Sequence, residues 1–326
     1  MSRQKGVLPE AGHRKGRSGL IEVSDRASDQ IGNHEGPMDE QRAKLDEIRG
    51  FYARLVAAAS RSSDPRLAYR SVDPRLERIF ELVPREAFLP PGPWKVMVAE
   101  RYLETPSADA AYIYQNNLVA LDADKGINNG EPFLHAAWIG AVAPQPGETV
   151  THVGAGTGYY SAILSMLVLA GGSVNAFEID EKLAAAARHN LAPFDNVSVT
   201  LGNAVSLPLS PSDLIYVNAG VLAPPVQWLQ ALRLRGRMIF PWRPSKEVGI
   251  AALVTRSAFG FELIPLMPSW FIPCVGVSEA DAGSAPPTSN AAWRSRSIRL
   301  AAEQAPDQTA TAVYRDIWFS SDLPPT

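Results

Sequence analysis

The spacing of apolar positions changes several times along this chain, and the changes mark out its elements. Across residues 39–59, Leu45, Ile48, Phe51, Tyr52, Leu55 and Val56 recur at helical spacing on one stripe. The first turn is acidic, as the helix dipole favours. The tetrapeptide DPRL occurs at 64–67 and again at 73–76. At the second copy Asp73 and Pro74 predict a helix start, and that helix runs to about Val83 and stops before Pro84. Two copies of four residues do not make a repeat architecture. Residues 85–94 (REAFLPPGPW) read as an irregular, proline-rich connection. Tyr112, Ile113 and Tyr114, then residues 118–121, predict short strands, and 125–131 (KGINNGE) a polar loop. Pro132 opens a helix carrying Phe133, Leu134, Ala137, Trp138 and Val142, closed by Pro144.

From Thr149 onward, short apolar runs alternate with helical ones. Strands are predicted around 150–153, 174–177, 197–200, 213–217 and 237–240, with helices at 159–169, 180–191 and 225–232 between them. Such alternation implies a parallel sheet covered on both faces. The runs at 250–255 and 261–266 lack an intervening helix and are expected to finish the sheet antiparallel. The fold class predicted is therefore α/β: a doubly wound, mostly parallel sheet with antiparallel C-terminal strands and N-terminal helices. Residues 1–37, with few clustered apolar positions, are expected to be a disordered tail, and Met38 a candidate true start. Residues 38–145 form a helical, substrate-side region, 146–277 the central domain, and 278–326 a linker and C-terminal extension. Within that extension 291–311 reads as weakly helical, and Ile317, Trp318 and Phe319 as an apolar cluster docked on the domain.

The most informative stretch is Val150 to Asp180. A strand breaks into Gly154, Ala155, Gly156, Thr157 and Gly158, a helix follows, and the next strand ends on Glu178. Glycines at a strand-to-helix turn admit a ligand close to the backbone, beside unpaired helix N–H groups. An acid at the tip of the next strand can hold a ribose diol. A dinucleotide fingerprint needs a further glycine where Tyr159 stands, and a phosphate loop needs a lysine that is absent. What remains is an adenosine-type ligand without a pyrophosphate, and the S-adenosylmethionine site of class I methyltransferases fits.

Composition adds bounds. The net charge of −3 gives no reason to expect nucleic acid as a principal partner. Cys274 is the single cysteine, which rules out an internal disulfide or a cysteine-rich metal site. The longest apolar run is too short to span a bilayer, and the N-terminus has no apolar core behind its charges, so the expected compartment is the cytoplasm without membrane attachment. The histidines show no metal-ligand spacing, and no metal is expected.

Taken from Val83 to about Gly276, the chain resembles protein-L-isoaspartate O-methyltransferases. VPREAFLPPGPW (83–94) looks like that family's opening segment, VTHVGAGTGYYSAIL (150–164) its first methyltransferase motif and NAFEID (175–180) its second. NVSVTLGNA (196–204), SDLIYVNAG (212–220), LRLRGRMIFPW (232–242) and FELIPLMPSWFIPC (261–274) follow in the family's order. The resemblance implies S-adenosylmethionine as cofactor and a carboxylate-bearing protein or peptide as acceptor. Three positions depart. Gly130 stands where the family places a serine beside the substrate carboxylate, Asn203 where an aspartate usually meets the adenine amino group, and His152 in place of the usual acid of the first motif.

Methyl transfer from a sulfonium to an ionised carboxylate, whose pKa is about 4, requires alignment and exclusion of water rather than a base. No catalytic residue is assigned for that reason. Gly154, Ala155, Gly156, Thr157 and Gly158 are expected to bring backbone to the methionine part of the cofactor. Glu178 is expected to take the ribose hydroxyls, Asn203 and Ala204 the adenine edge, and Ile179 its face. Asn218 lies at a strand tip where ligands gather. Asn128, Asn129 and Gly130 are candidates for the acceptor pocket, or else simply a turn. His135 reads equally as a cofactor contact or a structural histidine, and His152 as packing. Trp242, Trp270 and Trp318 read as core or edge, and Cys274 as buried filler. Three functions stay open: an isoaspartyl methyltransferase, an enzyme of the same fold with a different small-molecule or peptide acceptor, and a non-catalytic cofactor-binding module.

Overall fold

The computed structural model describes residues 37–61, 73–277 and 286–325. The expected N-terminal tail, the first DPRL copy and most of the 278–289 linker lie outside the described residues. Seven α-helices and fourteen strands are present among those described. In chain order these are α1 (Pro37–Ala59), α2 (Leu76–Leu82), β1 (Lys95–Val98), β2 (Arg101–Glu104), β3 (Ala120–Asp122), β4 (Ile127–Asn128), α3 (Pro132–Val142), β5 (Thr149–Val153) and α4 (Tyr159–Leu167). They continue with β6 (Ser173–Glu178), α5 (Glu181–Asn190), β7 (Val197–Leu201), β8 (Ser212–Val217), α6 (Val226–Ala231), β9 (Leu232–Trp242), β10 (Ile250–Ser257) and β11 (Gly260–Pro268). The chain closes with α7 (Ser289–Arg294), β12 (Ser297–Leu300), β13 (Ala310–Val313) and β14 (Ile317–Ser320).

One ten-stranded sheet carries the fold, in the order β13-β14-β12-β11-β10-β9-β8-β5-β6-β7. The half from β7 to β9 is parallel, with Val150 beside Val174 on one side and Leu214 on the other. The other half is antiparallel. Period-two alternation divides the core between the two faces. Ala251 and Leu253 of β10 join the cluster under α1 to α5, while Ile250, Ala252 and Val254 join the one under α6 and α7. On α1 the buried face is Tyr52, Ala53 and Val56, whereas Phe51 and Leu55 of the predicted stripe point outward.

Side-chain anchors fix the layers. Asp180 caps α5, accepting from the N–H groups of Lys182 and Leu183 at 3.0 and 3.2 Å. Arg237 on β9 donates to the carbonyls of Val142 and Ala143 at the end of α3 (2.9 and 3.1 Å) and pairs with Glu148 at 2.5 Å. That helix end, and the turn into β5, are thereby tied to the sheet.

Several expectations need correction. Residues 112–114 are not a strand: Ala110–Ile113 is a 3₁₀ turn capped by Asp109, whose carboxylate accepts from Ala111 N–H at 2.9 Å. The β1–β2 hairpin was not predicted at all. The 291–311 stretch is helical only over Ser289–Arg294, and the rest contributes β12 and β13. The apolar cluster 317–319 docks as β14, with Phe319 stacked on Trp242 (centroids 4.0 Å apart, 4° between planes). The antiparallel half of the sheet is larger than expected for this reason.

Candidate active site

A cavity of about 690 Å³ opens at the carboxyl ends of β5, β6 and β8, where ligands collect in open α/β sheets. The β3–β4 hairpin and the segment 270–275 wall it, and Lys125 of the hairpin reaches Asp180 beyond β6 at 2.7 Å. It gathers most of the predicted residues: Asn128, Asn129, Gly130, His135, Gly154, Ala155, Gly156, Thr157, Glu178, Ile179, Asn203, Ala204 and Asn218. Gly158 is not among the lining residues. It opens α4 with φ of 99°, and a Cβ there would lie 2.7 Å from Leu191 Cδ1.

The glycine turn is pinned where the N–H groups of Gly154 and Ala155 both reach Phe177 O (2.9 and 3.0 Å). Glu178 is 7% exposed and accepts three backbone N–H bonds, from Gly156 at 2.7 Å, Ile179 at 2.9 Å and Asp180 at 3.0 Å. Burial raises its pKa, and those three donors oppose the rise. The carboxylate is rigidly aimed, with one lone-pair site of Oε2 left over for a ligand hydroxyl. Ile179 is 48% exposed at the cavity edge. Asn203 Oδ1 accepts from Val205 N–H at 2.9 Å, and its Nδ2 donates to Val275 O at 3.0 Å, tying this turn to the 270–275 wall. One lone pair of Oδ1 remains. Ala204 is buried, with its carbonyl taking the Trp228 indole N–H at 3.0 Å. Thr157 turns its hydroxyl away to Phe88 O.

His152 is more than packing. Asn218 Nδ2 lies 2.9 Å from His152 Nε2, and His152 Nδ1 lies 2.7 Å from Ser161 Oγ. An amide nitrogen only donates, so Nε2 is the lone-pair nitrogen and the proton sits on Nδ1. Burial pushes the pKa of His152 down to about 3, so the ring is neutral. This fixes the Asn218 amide and leaves its Oδ1 buried with no partner among the described residues.

His135 is fully enclosed, stacked on Tyr160 (3.7 Å, 19°), with Nδ1 2.9 Å from Tyr216 Oη. Desolvation holds its pKa well below the ordinary value, so it too is neutral. Its Nε2 faces Gly130: a Cβ at residue 130 would sit 2.4 Å from that atom, and φ there is +78°. In this arrangement the ring leaves no room for a side chain at residue 130. Asn129 turns inward, its Oδ1 accepting from Arg85 Nε at 3.2 Å, while Asn128 Oδ1 accepts from Gly130 N–H at 2.9 Å.

Sequence reasoning missed several residues here. Arg85 is completely buried and donates to Ile113 O (2.6 Å), Asn117 O (2.7 Å), Gln115 O and Asn117 Oδ1 (both 3.1 Å) and Gly130 O (3.4 Å). It rivets 113–117 to the 129–130 turn. Arg243 at the tip of β9, Trp270 and Phe271 also line the cavity. Trp270 is an edge residue, 58% exposed, whereas Trp242 and Trp318 are core, as expected of each. Cys274 is buried yet contributes to the wall. The position of Arg243 just past a parallel strand was the signal available for it.

The family profile described as Protein-L-isoaspartate(D-aspartate) O-methyltransferase matches residues 71–279. Protein-L-isoaspartate O-methyltransferase 2 of Syntrophobacter fumaroxidans is 29% identical over 264 residues, covering 79% of this chain and 95% of the relative. The Protein-L-isoaspartate O-methyltransferase of Methylorubrum extorquens is 31% identical over 229 residues, 69% of this chain and 91% of its own. Among solved structures, a protein-L-isoaspartate O-methyltransferase superposes with TM-score 0.57 at 21% identity, covering 83% of this chain and 88% of the other. A putative Plasmodium falciparum homologue of that enzyme, in complex with S-adenosyl-L-homocysteine, superposes at 0.52 with 15% identity, covering 69% and 97%. These superpositions establish the class I methyltransferase fold.

Proposed function

Because the chain belongs to the protein-L-isoaspartate(D-aspartate) O-methyltransferase family, we propose that its cavity places the free carboxylate of an isoaspartyl residue in line with a cofactor methyl group. The protein is an S-adenosylmethionine-dependent carboxyl O-methyltransferase. The observation carrying the site assignment is the three-donor cradle of Glu178 beside the Gly154–Gly158 turn, at the strand tips of an otherwise largely apolar cavity.

The residues fit S-adenosylmethionine, which when bound supplies an electrophilic methyl on a sulfonium. Glu178 takes the ribose hydroxyls. Ile179 and the Asn203–Ala204 turn bracket the adenine. The orphaned Asn218 Oδ1, aimed by His152, accepts from an ammonium group of the methionine part. Asn128 and Gly130 then line the acceptor pocket, with His135 Nε2 behind Gly130. Both histidines are neutral, and an ionised carboxylate needs no proton removed, so the chain's part is to orient and to exclude water. Gly130 brings no side-chain donor to the acceptor, which supports a second reading in which a different carboxylate, on a small molecule or a dedicated peptide, is the preferred substrate.

The test is transfer of labelled methyl from S-adenosylmethionine to an isoaspartyl peptide and to its aspartyl twin. Base-labile label on the isoaspartyl peptide alone is expected. Absence of label on both, from protein that binds the cofactor, would reject the isoaspartyl acceptor in favour of the second reading.

A further inference from the structure

Among the described residues, the cavity holds one cation without an acidic partner. Lys125 at the rim is paired with Asp122 and Asp180. Arg243 forms no ion pair with any described residue. Its backbone N–H bonds Val221 O, its Nη1 donates to Phe271 O, and its other guanidinium N–H groups have no acceptor among the described residues. The Arg243 side chain is half-buried against Gly220, whose Cβ position would lie 3.3 Å from Arg243 Cδ. Phe271 links it to the acceptor side: that ring meets His135 edge-on at 5.9 Å and stacks on Trp138 at 5.1 Å.

Sheet order says which end of the cavity this charge serves. Glu178 lies at the tip of β6 and Asn203 just past β7, both to one side of the glycine turn after β5. A cofactor held by ribose and adenine on that side brings its methionine part over β5 and β8. Arg243 at the tip of β9 stands one strand further, over the space such a cofactor leaves free. A partly dehydrated guanidinium with unused N–H groups is a carboxylate receptor.

We propose that Arg243 anchors the methyl-accepting carboxylate, holding one oxygen while the other attacks. The inference rests on the carboxyl-methyltransferase reading above and adds the residue that selects for an anionic acceptor. As the new C–O bond forms and the C–S bond breaks with its electron pair going to sulfur, the carboxylate loses its negative charge. The attraction of Arg243 is therefore greatest before the transition state. It supports binding and not the chemical step.

The experiment compares wild type, Arg243→Gln and Arg243→Lys, each checked for unchanged thermal unfolding. Isoaspartyl-peptide steady-state kinetics are run alongside calorimetric titration with S-adenosylmethionine. Arg243→Gln is expected to raise peptide KM by roughly tenfold to a hundredfold, the scale of one charge-assisted hydrogen bond, with kcat equal or higher. Cofactor Kd stays within about twofold, and Arg243→Lys recovers part of the KM, as a point charge in place of a fork should. A weaker cofactor Kd with unchanged peptide KM would overturn the assignment by giving Arg243 to the cofactor's own carboxylate. Equal parameters for Gln and wild type would reduce it to a tie for the Phe271 backbone. Wild-type protein that binds cofactor but leaves the peptide unlabelled removes the substrate reading, and this inference with it.

Discussion

Replacing Arg85 with methionine tests whether one buried cation organises the acceptor side of the cavity. Its guanidinium has no acidic partner among the described residues and spends its donors on neutral acceptors, of which the carbonyls of Ile113 (2.6 Å) and Asn117 (2.7 Å) are the tightest. Methionine keeps much of the volume but strands those two carbonyls, at about 1–3 kcal/mol each. Weaker losses at Gln115, Asn117 Oδ1 and Gly130 add to this, while relief from burying a charge subtracts. The net expectation is about 3–5 kcal/mol, a large share of the 5–15 kcal/mol typical of a folded domain. Lysine should do no better, because an ammonium keeps the desolvation cost and has about three donors instead of five. Urea unfolding at low temperature gives the stability change from midpoint and slope. Kinetics on the folded fraction should show acceptor KM rising more than cofactor Kd, because the tethered turn 129–130 lines the part of the cavity proposed for the acceptor. A midpoint shift worth less than about 1 kcal/mol in the methionine variant, or full rescue by lysine, would refute the reasoning.

Acid should destabilise the protein through its two enclosed histidines. Below the unfolded pKa of 6.5 each imidazole gains a proton in the unfolded chain but not in the folded one, where burial lowers the pKa of His152 to about 3 and shifts His135 likewise. Stability from this source is complete above pH 6.5 and falls with pH, by about 1 kcal/mol for His152 between pH 6 and 5 with His135 acting in the same direction, and His152→Gln should flatten that slope in pH-dependent unfolding. Glu178→Gln should weaken S-adenosylmethionine binding roughly tenfold to a hundredfold by calorimetry, and a change under threefold would dissociate Glu178 from the ribose. Gly130→Ala should lower stability by about 2–4 kcal/mol, combining the left-handed backbone with contact on His135 Nε2, and His135→Ala in the same chain should recover the contact part; additive losses would deny the coupling.

The parallel half of the sheet was legible because its signals are local. Strand, glycine turn, helix and terminal acid follow one another between Val150 and Asp180, where Asp180 caps α5. The β1–β2 hairpin was not legible because Ala99 and Glu100 both adopt positive φ (46° and 64°) without the Asn-Gly pair that advertises such a turn. Alanines at 291–311 suggested helix by propensity, yet Ser297–Leu300 is held as a strand by pairing with β14. In the site, Glu178 and the glycines were readable from spacing. Arg85 and Tyr216 were not, because each acts across contacts such as His135 to Tyr216, 81 residues apart, that no local pattern encodes, and Arg243 offered only its place just past a parallel strand.

The three C-terminal strands have a consequence for the molecule's behaviour in a crowd. β12 pairs with β11 only at Phe261–Ile298 and Glu262–Ser297, and β14 then covers β12 along its length. Without them the start of β11 around Phe261 and Glu262 would offer its backbone donors and acceptors to any passing chain. Removing residues 286–326 should therefore leave the cavity's walls in place and increase self-association, as read by light scattering. The final segment acts as a selvedge, the woven border that keeps a cloth from catching on its neighbours.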